Sequence, residues 1–230
     1  MAIKYVKRKE EDGNEGNIFW VTMSDLMLGL AIVFITLFVL AMTGFTQQSM
    51  QQQKVKMDIA KEISQELQKQ NINAQIDKMT GDLIIPSTAL FDVNSYVLSP
   101  AGKSLLSKLA PIYINTLFKK KELAGDIESI LIQGHTDSQT FTGVSSVEEQ
   151  FVRNMDLSLK RANSVAEYIL QTNYDKKNAE AFRKMIVVEG KSFNEPVIID
   201  GREDYAKSRR VELKIKVRDW NVASAFGIQK

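Results

Sequence analysis

"DIESILIQGHTD", Asp126–Asp137, decides the fold. Ile127, Ile130, Leu131 and Ile132 form an apolar run of strand length that stops at a glycine and turns polar, the pattern of a buried strand ending in a loop. Downstream, "LSLKRANSVAEYILQTN" (Leu157–Asn173) has helical periodicity, with Ser158 as the expected N-cap. The segments "KMIVVEG" (Lys184–Gly190) and "RRVELKIKV" (Arg209–Val217) then return to a strand pattern. Upstream, "QIDKMTGDLIIP" (Gln75–Pro86) reads as a hairpin turning at Thr80 and Gly81. "SPAGKSLLSKLAPIYINTLFKK" (Ser99–Lys120) reads as a helix capped by Ser99, with Pro100 in its first position. Strands alternating with helices predict an α/β domain, an α+β arrangement of two layers, over residues 74–218. A segment of that length can bury an adequate core of its own.

Composition narrows the function before any motif does. The 230 residues are 44% hydrophobic and 25% charged, with a net charge of only +2, so nothing calls for nucleic acid as a direct partner. Lys119, Lys120 and Lys121 read as a solvated helix end. There is no cysteine, which excludes disulfides and thiolate metal sites, and His135 is the one histidine. No glycine-rich phosphate loop is present. The chain therefore reads as something other than an enzyme, with no catalytic residue, metal or cofactor assigned.

Residues 18–45 contain one formal charge in 28 positions, more than the roughly 20 apolar residues that suffice to cross a bilayer. A transmembrane helix is expected there. The run is too long for a signal peptide and lacks a small-residue cleavage site. Flanking lysines and arginines differ little in number between the two sides, so the positive-inside rule decides weakly. A short head, 1–17, and a long following segment favour a cytoplasmic N-terminus.

Within that helix Asp25 needs a reason, because a carboxylate at mid-membrane costs about 2.5 to 3.5 kcal/mol. Thr22, Asp25, Gly29, Thr36 and Thr43 succeed one another at spacings of 3, 4, 7 and 7, on one helical stripe. Two readings stand: a packing seam of small and hydroxylated residues, or an ion path in which desolvation raises the carboxyl pKa until it exchanges ions. The helix has no basic residue to neutralise Asp25, which favours the second.

Residues 46–73 change character. "TQQSMQQQKVKMDIAKEISQELQKQ" (Thr46–Gln70) is polar, with Val55, Ile59, Ile63 and Leu67 at i, i+4 spacing. This juxtamembrane helix could lie against another surface, serve as a spacer or pair with a second copy; self-pairing is the favoured expectation.

Four blocks, in order, carry a resemblance: "LFDVNSYVLSPAGKSLLSKLA" (Leu90–Ala110), "IQGHTD" (Ile132–Asp137), "NMDLSLKRANSVAEYIL" (Asn154–Leu170) and "SRRVELKI" (Ser208–Ile215). Together they resemble the OmpA-like peptidoglycan-binding domain. Such a domain behind one aspartate-bearing membrane helix is similar to the flagellar stator B subunit, MotB. "FWVTMSDLMLGL" (Phe19–Leu30) resembles still more the B subunit of the Zorya anti-phage defence system.

The resemblance implies a stator subunit of the bacterial inner membrane. Its N-terminus would be cytoplasmic, its OmpA-like domain periplasmic, and residues 219–230 a C-terminal tail. It implies a homodimer inside a pentamer of a multi-span MotA-like or ZorA-like membrane subunit, with protons or sodium ions passing Asp25. It also implies that the domain grips the peptidoglycan stem peptide, whose diaminopimelate side chain ends in an ammonium and a carboxylate. Asp137 and Arg161 would supply the matching anion and cation, supported by Thr136, Asn154 and Leu157, with Arg209 a possible neighbour. Arg161, three residues past Ser158, would then act near a helix N-terminus.

Some features depart from the family pattern. The segment 138–153 reads as a loop longer than usual, and Ser208 replaces an asparagine before the paired arginines. His135 is expected to serve local hydrogen bonding. A passive wall anchor, a wall hydrolase and a motility stator are the competing classes.

Overall fold

The computed structural model describes residues 13–70, 72, 75–119, 121–144 and 146–218. Most of the expected head, residues 1–12, lies outside the described residues, as do Lys120 and the expected tail 219–230. Contacts divide the chain into two compact units, Met1–Ser49 and Met50–Lys230. One helix, α1 (Gly13–Lys69), contributes to both, without a break where the composition changes.

In the first unit the apolar side chains of α1 are all exposed, Trp20 at 67% and Phe45 at 73% among them. Water would not tolerate such a surface on a soluble protein. The helix is long and apolar enough to cross a membrane.

The second unit continues with β1 (Gln75–Ile76), β2 (Leu83–Pro86), α2 (Ser87–Leu90), α3 (Pro100–Lys119), α4 (Lys121–Asp126) and β3 (Ile127–Gly134). Then come α5 (Val147–Gln171), a 3-10 turn (Lys176–Asn178), α6 (Ala179–Met185), β4 (Ile186–Gly190), β5 (Ile198–Ile199), β6 (Arg202–Glu203), α7 (Tyr205–Ser208) and β7 (Arg210–Val217). The main sheet runs β1-β2-β7-β3-β4, and β5-β6 form a separate hairpin. Only β3 and β4 are parallel, joined by the crossover through α5; the remaining pairs of the main sheet are antiparallel. The mixed helix and strand fold is the one expected from the sequence. The first hairpin turns through Gly81 at φ 77°, a conformation glycine adopts at little cost. Ser99 caps α3 by accepting the Gly102 N–H at 3.0 Å, with Pro100 the first helical residue.

Alternation along β7 sorts the two faces of the sheet. Val211, Leu213 and Ile215 enter the core with residues of α3 and α5, while Arg210, Glu212 and Lys214 take the opposite face. There Glu212, 5% exposed, accepts from Arg210 Nε and lies 2.9 Å from Lys214 Nζ. Burial alone would push its pKa up. The nearby His135 ring and the bonds and charges of Lys214 and Arg210 prevail and hold it well below the ordinary carboxylate range.

Two expectations are corrected. Helix α5 begins at Val147, not beside Ser158; Ser146 is its cap, accepting the Glu149 N–H at 3.0 Å. Seven of the sixteen residues of the supposed long loop are therefore helix, Asn154 is not at the helix entry, and Arg161 sits in mid-helix, too far from the positive N-terminal end for that end to help it hold an anion. The second correction concerns the stripe on α1. Val55, Ile59, Ile63 and Leu67 are buried in the core of their own chain, Ile63 completely. The backbone carbonyl of Lys56 would lie 3.0 Å from a Cβ on Gly81, and Lys119 reaches Glu66 at 3.6 Å. An i, i+4 stripe specifies a wide enough apolar face but not its partner, and here the partner is the domain itself.

Ile63→Ala should accordingly lower the stability of the full chain in detergent by about 2–5 kcal/mol in urea unfolding. An unchanged midpoint would mean that the stripe is not part of this core.

Candidate functional site

The site lies where β2, β7 and β3 end. The Ser87 N–H donates to the Arg209 carbonyl at 2.9 Å, and the His135 N–H to the Arg210 carbonyl at 2.9 Å, so the residues just beyond the strands stand in a row. Thr136 is pinned next, its N–H donating to the Ser192 carbonyl at 2.9 Å. Helix α5 crosses this end of the sheet at very short range. A Cβ on Gly134 would stand 2.0 Å from the Ser158 carbonyl oxygen, and one on Gly190 would stand 2.8 Å from the Leu159 N. Only glycine at these two positions lets backbone meet backbone. One turn beyond Ser158, Arg161 is delivered to the same end of the sheet.

The result is a cavity of about 570 Å³, lined by Thr136, Asp137, Asn154, Leu157, Arg161 and Arg209 together. The six residues expected to contact the wall are thus brought to one place. Ser87, Phe91, Asp92, Asn94 and Phe141 complete much of the wall.

Asp137, 7% exposed, is bound by Arg209 Nη1, which also reaches Gln139 Oε1 at 3.3 Å. Arg209 therefore lines the cavity beside Asp137, whereas its neighbour Arg210 pairs with Glu212 on the sheet. Arg161, 4% exposed, donates through Nε to the Ser95 carbonyl at 2.9 Å and lies 5.4 Å from the centre of the Phe91 ring. Among the described residues nothing takes a hydrogen bond from its two terminal nitrogens. Burial, then the charge of Arg209, lower its pKa, against a smaller opposing pull from Asp137. The guanidinium stays charged. It is a desolvated cation with no anion of its own, which is the electrostatic condition for binding one.

The other members are less charged but equally placed. Asn154 donates Nδ2 to the Gln150 carbonyl at 3.1 Å, inside α5. Leu157 is half-buried and gives the cavity its apolar side. The hydroxyls of Thr136 and Ser87 are buried without a hydrogen-bond partner. His135 corrects the expectation of local hydrogen bonding by its ring: among the described residues neither ring nitrogen has a hydrogen-bond partner, and Glu212 Oε2 is 3.6 Å from Nε2, beyond hydrogen-bond range. Phe91 and Ser95 were not singled out from the sequence, although Asn94 between them, at φ 56°, marks the turn that folds this loop back on the site.

In the apolar part of α1 the polar stripe divides into two kinds of residue. The hydroxyls of Thr22, Thr36 and Thr43 donate to carbonyls one turn back, Thr36 to Ile32 at 2.7 Å and Thr43 to Val39 at 2.7 Å. Those groups are satisfied within their own helix. Asp25 has no hydrogen-bond or ion-pair partner among the described residues, and nothing approaches within 4 Å of a Cβ on Gly29.

Comparison with known proteins bears on the family and the fold. Residues 90–210 match the model of the OmpA family. The Zorya protein ZorB of Escherichia coli strain Crooks is 30% identical, with 92% of each chain covered. A second Zorya protein ZorB, of Escherichia coli O139:H28, is 25% identical over 92% of this chain and 85% of its own length. Among solved structures, a putative MotB-like protein from Desulfovibrio vulgaris shares the fold, with a TM-score of 0.52 and 20% identity over 75% of this chain and 99% of that one. Matched by the family model through the segment that builds the cavity, and by ZorB relatives along nearly the whole length, the chain belongs to the OmpA family.

Proposed function

We propose that this chain is the B subunit of an ion-driven stator of the bacterial inner membrane, held by its OmpA-like domain to peptidoglycan and working in Zorya-type phage defence. Residues 18–45 cross the membrane once, with the N-terminus in the cytoplasm and the second unit in the periplasm. Two copies stand inside a ring of a multi-span ZorA-like or MotA-like subunit, and protons or sodium ions pass Asp25. The similarity to the two ZorB proteins over most of the chain favours defence; the likeness to the MotB-like structure carries the fold alone.

The observation that carries the wall-binding reading is that Arg161, whose terminal nitrogens have no hydrogen-bond partner among the described residues, lines one cavity with Asp137 and its partner Arg209. The end of a diaminopimelate side chain is a zwitterion. Its carboxylate fits the free terminal nitrogens of Arg161, two parallel bonds to a planar fork. Its ammonium takes the place of Arg209 at Asp137, and the displaced Arg209 remains beside the incoming carboxylate. The exchange conserves charge, so the buried carboxylate is never left unpaired.

The membrane reading rests on the isolation of Asp25 in a stripe whose threonines need no partner. A packing seam uses small and hydroxylated residues and gains nothing from an unpaired carboxylate. An ion relay requires one, because a titratable group is what takes up and releases the ion. Wall anchorage and ion passage then belong to one device: torque on the surrounding ring needs a dimer that cannot turn, and the wall is the fixed support.

Arg161→Ala in the folded full chain should bind purified peptidoglycan at least about tenfold more weakly, as expected for loss of a charge-assisted pair, and Asp137→Ala should behave similarly. Pelleting of both variants with the wall at wild-type levels would refute the assignment. Asp25→Asn should still insert and assemble with its ring partner but lose ion flux and defence. Full flux in an assembled Asp25→Asn complex would leave the packing seam as the role of this residue.

A further inference from the structure

Ser138 follows Asp137 directly, and all three of its polar groups are held from other elements. Its N–H donates to Glu203 Oε1 at 3.3 Å and its hydroxyl to Glu203 Oε2, while its carbonyl accepts from Gln150 Nε2 at 2.9 Å. Gln150 lies in the first turn of α5. Glu203 ends the β5-β6 hairpin, which turns through Asp200 at φ 49° and Gly201 at φ 76°, the left-handed pair of a tight two-residue connection. The base of this arm is closed by the Val197 N–H donating to Ser208 Oγ at 3.0 Å. Asp204 caps α7 by accepting the Lys207 N–H at 3.0 Å, and the next residue after that helix is Arg209. One short arm thus touches Asp137 from both sides: Arg209 meets its carboxylate, and Glu203 holds the backbone that follows it.

Resting on the wall-binding reading above, we propose that Glu203 is a positioning residue of the peptidoglycan site. Its two carboxylate oxygens fix the N–H and hydroxyl of Ser138, and thereby the direction in which Asp137 presents its carboxylate. The clamp matters most when ligand binds. Arg209 must release Asp137 to the incoming ammonium, and at that moment Glu203 and Gln150 are what keep the 137–138 backbone in place. Without them Asp137 would follow Arg209 or turn toward solvent, and the spacing between anion and cation would no longer match the ligand.

Glutamine separates positioning from simple charge. In Glu203→Gln, Oε1 still accepts the Ser138 N–H, and Nε2 can donate to the Ser138 hydroxyl oxygen, so both contacts survive while the negative charge is removed. Binding of the full chain in detergent to a soluble L-Ala-γ-D-Glu-meso-diaminopimelate peptide is the measurement. Glu203→Ala should bind roughly tenfold more weakly, whereas Glu203→Gln should remain close to wild type. Combining Ser138→Ala with Glu203→Ala should weaken binding no further than Glu203→Ala alone, since the two groups act as one pair. Wild-type affinity in Glu203→Ala, a Glu203→Gln as weak as Glu203→Ala, or additive losses would each overturn the proposal. Arg161→Ala, measured in parallel, tells two failures apart. If it loses binding while Glu203→Ala does not, positioning alone is wrong; if it too binds like wild type, the wall-binding reading falls and the clamp with it.

Discussion

The contact on which the site depends is the backbone-to-backbone crossing of α5 over the ends of β3 and β4. With no side chain on Gly134 or Gly190, the Ser158 carbonyl and the Leu159 N come closer than any Cβ would permit, 2.0 and 2.8 Å from where those Cβ atoms would be. That approach fixes the height of the helix above the sheet. Asp137 leaves β3 three residues after Gly134, and Arg161 leaves α5 three residues after Ser158, so the crossing sets the distance between the two charges. A larger residue at either glycine would lift the helix and separate them.

Around this fixed point the charges are arranged unequally. Asp137 has Arg209, Glu212 has Arg210 and Lys214, but Arg161 has only a carbonyl and an aromatic ring. A buried cation without an anion is a cost that folding alone does not explain. The apolar part of α1 has the corresponding feature in Asp25, a carboxylate without a cation among the described residues, beside threonines that are satisfied by their own helix. In each unit a function is proposed for a charged side chain that has no ion-pair partner among the described residues, Asp25 in the first and Arg161 in the second.

Much of this could be read from the residues. The strands at Ile127, Ile186 and Arg210 and the helix begun by Ser99 and Pro100 were legible because apolar period, cap and glycine stop agree with one another. Six residues that line the cavity were singled out because they stand in ordered blocks. The start of α5 was missed, although Ser146 and Glu149 have the spacing of a capping box; the polar, acidic first turns hid it, and Ser158 looked like an equally good cap. The Asp-Gly pair at 200–201 likewise announced the hairpin that carries Glu203. Two matters were not written in the sequence at all. A stripe of Val55, Ile59, Ile63 and Leu67 has the same spacing whether it meets a second copy or its own domain. Nor does spacing say whether Asp137 pairs with Arg161 or Arg209, since both cations carry the same charge and only the fold brings one within reach.

The central claim is that the cavity reads both charges of a zwitterionic side chain, and wall chemistry offers a direct comparison. A lysine-type stem peptide presents the ammonium but lacks the carboxylate that Arg161 is to receive. Equilibrium binding of the full chain in detergent to matched stem peptides, one containing meso-diaminopimelate and one containing lysine, isolates that single group. The account predicts measurable binding of the diaminopimelate peptide and at least about tenfold weaker binding of the lysine peptide, as expected for the loss of a charge-assisted pair. Equal affinity for the two would contradict it.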